Sequence, residues 1–217
     1  MDMKITLPDD MRDDEAFVIS IARHDGKAAL RYASKRLRDD EDVVLTAVRN
    51  YGEALARASD RLRNDKKIVM EAVRQEGQAI AYTSPKLRDD KSLAMAAVRN
   101  DVWAFTYISN RLKGDKEIAL TALSSGNGII LSQVPNKLRD DKDVVMMAVS
   151  KYGYALSFAS DRLRDDIDVV IAAVKNDKDA ITYASRRLAI DPFIRFIASG
   201  LEKDELPYIE AQASKYC

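Results

Sequence analysis

From Asp40 onward the chain repeats one short pattern of apolar and polar positions. Val43, Val44, Ala47 and Val48 fall at helical spacing, while Asp42, Thr46 and Arg49 form a polar stripe. That periodicity predicts a helix with one buried face. Asp40 stands where an N-cap is expected, its carboxylate able to accept from the free N–H groups of the first turn. The same Asp recurs at 14, 65, 90, 115, 141, 166 and 191. Gly52 then occupies the place of a left-handed residue closing a helix C-terminus. Gly77 and Gly153 repeat it, whereas Val102 and Lys178 depart from it. A second helix is expected from Glu53 to about Ser59, burying Ala54, Leu55 and Ala58. Ser follows at 34, 59, 84, 109, 160 and 185, and Ser84-Pro85-Lys86-Leu87 reads as a capped single turn with Pro at its first position. No segment alternates with period two, so strands are not expected.

The period is set by Leu37, Leu62, Leu87, Leu112, Leu138, Leu163 and Leu188, spaced 25, 25, 25, 26, 25 and 25 residues apart. Helix pairs this short cannot bury their own apolar faces and must stack on their neighbours. Alanine columns at 47, 72, 97, 122, 148 and 173, and at 29, 54, 79, 104, 155 and 180, allow close approach in both layers. The fold expected is therefore an all-α solenoid of about seven 25-residue helical-hairpin repeats with terminal caps. Residues 1–13 read as an N-terminal cap or half repeat and 14–190 as the seven repeats. Residues 191–217 read as C-terminal capping helices, the first of them stopped at Gly200.

Composition narrows the chemistry. With 35 basic and 35 acidic residues the charges cancel, so no long-range attraction to a polyanion is expected. One His (His24) and one Cys (Cys217) leave no His/Cys metal set, Cys–His nucleophile or disulfide framework. No apolar run reaches the length of a membrane span, and Met1-Asp2-Met3-Lys4 does not open as a signal peptide. A cytoplasmic-type monomer without cofactor or metal is expected.

The segment Asp141 to Asp166 carries Val144-Val145, Ala148-Val149, Gly153, Ala155-Leu156, Ala159-Ser160 and Leu163. In this it resembles the bacterial repeat family described as domain of unknown function 4116. The likeness extends over most of the chain through its repetition. It implies no catalytic residues. Because the family occurs in proteins of intracellular bacteria, it also implies a possible place among effectors delivered into a host cytosol. Pro135 in place of Ser, and the extra residue around Gly126-Asn127-Gly128, depart from the pattern.

Three sets of side chains are candidates for function. The residue before each Leu is basic, giving a ladder of Arg36, Arg61, Lys86, Arg111, Lys137, Arg162 and Arg187. Such a ladder could track phosphates, but acidic residues follow each basic pair, so ion pairs between repeats are the stronger expectation. The acidic runs Asp39-Asp40-Glu41-Asp42 and Asp140-Asp141-Lys142-Asp143 lack the glycine turn and distal Glu of a calcium loop and read as helix caps. No phosphate loop or nucleophile elbow occurs, and an enzyme is not expected. Tyr32, Tyr82, Tyr107, Phe158 and Tyr183 form a column expected to fill the seam between helix layers, with hydroxyls at the rim.

The position after the Gly slot breaks its own rule. Glu53 and Gln78 give way to Trp103, Ile129 and Tyr154, beside Val102 in the Gly slot, and Met147 replaces a polar residue on the first helix. Trp103, Ile129, Tyr154, Met147 and Val102 are the expected partner-binding strip on repeats four to six. The function expected is non-catalytic binding of another protein, as an effector, adaptor or inhibitor. Nucleic-acid binding along the basic ladder is the alternative.

Overall fold

A computed structural model describes residues 11–125 and 127–200. The expected cap at 1–13 and the capping helix after Gly200 lie largely or wholly outside those residues. Two compact units divide the chain, Met1–Leu112 and Lys113–Cys217. Among the described residues all regular structure is helical.

Each repeat begins with the expected long helix. In the first unit these are Glu15–Ala22, Glu41–Asn50, Lys66–Gln75 and Lys91–Asn100. In the second they are Lys116–Ser124, Lys142–Lys151, Ile167–Asn176 and Pro192–Ser199. The predicted Asp caps all of them. Asp40 Oδ1, for example, accepts from Asp42 N and Val43 N, both at 3.0 Å. Consecutive long helices pack side by side within each unit, and the intervening segments form a second layer against them. The buried face is the predicted one, with Val43, Val44, Ala47 and Val48 wholly excluded from solvent.

The second element differs from the expectation. Only Gly26–Tyr32, in the first repeat, is an α-helix; Gly52–Arg57, Gly77–Tyr82, Val102–Thr106, Gly128–Ser132, Gly153–Phe158 and Lys178–Tyr183 are 3-10 helices. A 3-10 segment advances about 2 Å per residue against about 1.5 Å for an α-helix. It therefore crosses the layer with fewer residues, and the first repeat indeed holds one residue more between its Gly and its Ser. Ala54 and Leu55, Ala79 and Ile80, and Ala155 and Leu156 bury that layer against the long helices. A single turn then follows, such as Asp60–Arg63, whose Leu62 is fully buried. As predicted, Ser59 caps it by accepting from Leu62 N at 3.3 Å.

The glycine column has a different cause from the one expected. Among the described residues only Gly200 adopts positive φ, at 69°. Five of the long helices end instead on an extended residue, as at Tyr51 with φ −144°. What excludes a side chain at Gly52 is the next repeat: a Cβ there would lie 2.6 Å from Ala72 O, and at Gly77 2.4 Å from Ala97 O. Gly153 meets Ala173 O in the same way, at 2.6 Å, in the second unit. The alanine column completes this contact, since Ala47, Ala72, Ala97 and Ala173 are fully buried. The two small-residue columns are thus the two sides of one seam.

This origin is testable. Gly77→Ala should lower the stability of the chain by about 1–3 kcal/mol in urea unfolding, the scale of overpacking a core. Gly77→Asn should be no better. Rescue by Asn would instead indicate a left-handed cap, which Asn tolerates.

Candidate functional site

The basic ladder is the most regular feature on the surface, and its chemistry is inward. Asp39, the residue before the N-cap, accepts from the Ser59 hydroxyl of the next repeat and from Arg61 Nε at 3.0 Å. Arg61 also donates to the Asp39 carbonyl at 2.5 Å, and Ser59 N to Arg38 O at 2.8 Å. The same rung recurs as Asp13–Ser34–Arg36, Asp89–Ser109–Arg111, Asp140–Ser160–Arg162 and Asp165–Ser185–Arg187. The Ser59 hydroxyl first, joined by the Arg61 guanidinium, outweighs the cost of burial and holds the Asp39 carboxyl below its usual range.

Two rungs are missing, and they are missing on both sides at once. Where Asn64 replaces Asp, Lys86 replaces Arg; where Gly114 replaces Asp, Lys137 replaces Arg and Pro135 replaces Ser. Arg is kept where a carboxylate and a backbone carbonyl must be bridged together, a task its fork suits and an ammonium does not. Ser84 N also lacks the bond to the preceding repeat that Ser59 N and Ser109 N make.

A second ladder runs along the helix starts. Lys66 Nζ reaches Asp90 at 2.5 Å, Lys116 reaches Asp141 and Asp143 at 2.8 Å, and Lys142 reaches Asp166 at 2.9 Å and Asp168 at 2.8 Å. In the first acidic run Asp39 and Glu41 meet Arg61 and Asp40 caps, and in the second Asp140 meets Arg162 while Asp141 and Asp143 meet Lys116. At Asp90, burial opposes ionisation, but Lys66, the Ser92 hydroxyl and Leu93 N outweigh it and hold the carboxyl at about 2. Among the described residues no cluster of His, Cys, Asp or Glu is arranged to hold a metal ion. His24, at the end of the first long helix, is exposed.

A third ladder was not foreseen. Asn50 Nδ2 donates to Arg23 O at 3.1 Å while its Oδ1 accepts from Gly26 N at 3.2 Å. Asn100 bridges Arg74 O and Gly77 N, and Asn176 bridges Ser150 O and Gly153 N, in the same manner. Each amide so satisfies an orphan helix carbonyl and a turn N–H of the repeat before it. The signal in the sequence is Asn at the last helical position, obscured where Gln75 and Lys151 take its place.

Large apolar side chains stand exposed at Ile167, Ile190 and Phe193, at or just before the starts of the last two long helices, and in a denser set on the layer of 3-10 helices. In the first unit Trp103 is 47% exposed and Tyr107 37%, with Val102 half-buried beside them. In the second unit Ile129, Tyr152 and Tyr154 are each about two-fifths exposed (40%, 41% and 38%). Tyr154 lies edge-on to Phe158 and to Tyr183, with centroids 5.6 and 5.0 Å away, and 5.8 Å from Tyr152. In the column of Tyr32, Tyr82, Tyr107, Phe158 and Tyr183, Tyr107 is exposed and the other four are half-buried, so it is not the fully buried core seam expected. The five candidate residues do not share one element layer. Val102 and Trp103 belong to the first unit, Ile129, Tyr154 and Met147 to the second. Met147 is half-buried on the long helix Lys142–Lys151, in the opposite layer to Ile129 and Tyr154. Tyr152 was missed because its column is polar in the neighbouring repeats, as Asp101, Asn127 and Asp177.

No helix among the described residues is long and apolar enough to cross a membrane. The model of the domain of unknown function (DUF4116) matches the chain five times, at residues 14–60, 40–88, 90–139, 125–164 and 141–188. No curated protein and no solved structure shows significant similarity to the chain.

Two outcomes follow from the ladders. Asn64→Asp combined with Lys86→Arg should rebuild the missing rung and raise the Tm by about 1–2 °C, the scale of one exposed ion pair in a chain of this size. The Asp carboxyls held low contribute stability that is complete above their unfolded range near pH 4 and is lost as pH falls toward 2. Asp90→Asn should therefore be less stable than the parent at pH 7 and lose less of its stability between pH 4 and pH 2, as followed by thermal melts.

Proposed function

The chain belongs to the family of the domain of unknown function (DUF4116), and from that premise we propose that it is a non-catalytic scaffold whose 3-10 layer binds another protein. The observation that carries this reading is a division of labour among its surfaces. Aspartate, arginine, lysine and asparagine at the repeat ends are spent on neighbouring repeats. Large apolar side chains are held open to solvent on the 3-10 layer of both units, as Trp103 and Tyr107 in one and Ile129, Tyr152 and Tyr154 in the other. Exposed aromatic residues set on a rigid framework are the usual anchors of protein interfaces. A role as effector, adaptor or inhibitor would use such a surface directly.

Nucleic-acid binding along the basic ladder is the weaker reading. Five of its seven members, Arg36, Arg61, Arg111, Arg162 and Arg187, already bond a carboxylate and a backbone carbonyl. A phosphate would have to displace both.

Trp103→Ala combined with Tyr154→Asp should leave the melting curve unchanged and cut partner capture by at least about tenfold in a pull-down, as loss of interface anchors does. Unchanged capture by the folded variant would reject this surface, and steep salt dependence with sensitivity to Arg61→Glu would favour the nucleic-acid reading.

A further inference from the structure

The first unit's 3-10 layer combines its exposed rings with carboxylates that the ladders do not use. Tyr51 OH donates to Glu53 Oε2 at 2.8 Å, and Glu53 N donates to Glu76 Oε2 at 3.2 Å. One repeat further, Gln78 Nε2 donates to Asp101 Oδ2 at 2.7 Å, and Asp101 Oδ1 accepts from Trp103 N at 2.8 Å. These bonds form two runs, Tyr51–Glu53–Glu76 and Gln78–Asp101–Trp103, set on three successive repeats of the same unit.

Glu53, Glu76 and Asp101 form no ion pair among the described residues, in contrast to the carboxylates of the two charged ladders. Lys27, which lies over the Tyr51 ring 5.4 Å from its centroid, acts on Glu76 only through space and offsets part of this charge. Burial first, and then the Glu53 and Asp101 carboxylates, push the Glu76 carboxyl above its usual range, although Glu53 N and Lys27 oppose the shift. Crowding like charges on a half-buried face destabilises the free protein, whereas a cation seated there would relieve it.

We propose that this face docks a segment of a partner protein rich in arginine or lysine. The cationic heads would lie along Glu53, Glu76 and Asp101, and the stems or guanidinium planes would lie on Trp103 and Tyr107. Carboxylate lines supply the sign of charge that selects and steers such a segment. Exposed aromatic faces add cation–π attraction, for which Trp is the strongest ring. An acidic segment or a nucleic-acid backbone is repelled by the same three carboxylates. The proposal rests on the protein-binding reading above and specifies the chemistry of the partner for the first unit.

Trp103, the single Trp of the chain, reports directly on this surface. The full chain is titrated with a short peptide alternating Arg with Gly, with its Glu-for-Arg counterpart, and with single-stranded RNA, following Trp103 emission and peptide anisotropy. The Arg peptide should bind saturably and more weakly as salt is raised. E53Q/E76Q should raise its Kd by about tenfold, the loss of a close charge pair across an interface. Asp42→Asn, which removes an exposed carboxylate from the long-helix layer, should leave it unchanged. Asp101→Asn, outside the Glu pair, supplies the same test should the double variant fail to fold. Equal binding of the Glu peptide, preference for RNA, no binding of the Arg peptide, or unaltered binding by the folded carboxamide variants would each overturn the proposal. An inert Arg peptide alongside lost partner capture by Trp103→Ala would reject the cationic partner alone. Retained capture by Trp103→Ala/Tyr154→Asp would reject the broader reading, leaving the peptide titration to be judged separately.

Discussion

Everything in each unit depends on how closely one repeat can approach the next. A long helix of about ten residues and a short 3-10 segment have too little apolar surface to hold each other in water. They become stable by contributing to a seam shared with the following repeat. At Gly52, Gly77 and Gly153 that seam closes because the glycine at the start of one 3-10 segment faces the alanine carbonyl of the next long helix, at distances that leave no room for a Cβ. The valines and leucines behind it are then excluded from solvent. A side chain at the glycine would hold the repeats apart and expose that core.

The polar ladders act on this contact as registers rather than as its main source of stability. The Asp–Ser–Arg rungs are solvent-exposed, with side chains about half accessible at Arg61 and Asp39 (54% and 47%). Ion pairs of that kind contribute little individually. Their geometry is nonetheless specific: one carboxylate receives a hydroxyl and a guanidinium, and the same Arg reaches the adjacent carbonyl. Asn50, Asn100 and Asn176 fix the other end of the helix by bridging two backbone groups of the preceding repeat. With both ends of these repeats tied inward, the 3-10 layer keeps its large apolar side chains open to solvent.

Period, caps and columns were legible in the sequence because each rests on a residue type with one dominant use. Aspartate before a helix, serine before a turn, and leucine every 25 residues left little choice. Gly52 was misread because glycine serves two purposes, positive φ and close approach, and spacing alone does not separate them. The 3-10 segments escaped notice for a related reason: over six residues, i+3 and i+4 spacings are nearly the same pattern. Trp103, Ile129 and Tyr154 stood out as breaks in a polar column, and all three are exposed. Tyr152, Glu76 and Asp101 did not stand out, since an extended residue at the helix end tolerates almost any side chain. Their importance comes from the neighbours that the seam brings beside them.

Residue-resolved hydrogen exchange in the native state tests this account most directly. The amides of Ser59, Ser109, Ser160 and Ser185 bond the carbonyl of the preceding repeat, and Ser84 N does not. If neighbouring repeats hold one another through the seam and its rungs, the first four should exchange as slowly as core helix amides such as Val48. Ser84 should exchange at least about tenfold faster, as a site open to local fluctuation does. Equal protection at all five serines, or rapid exchange at all of them while the long helices stay protected, would contradict it.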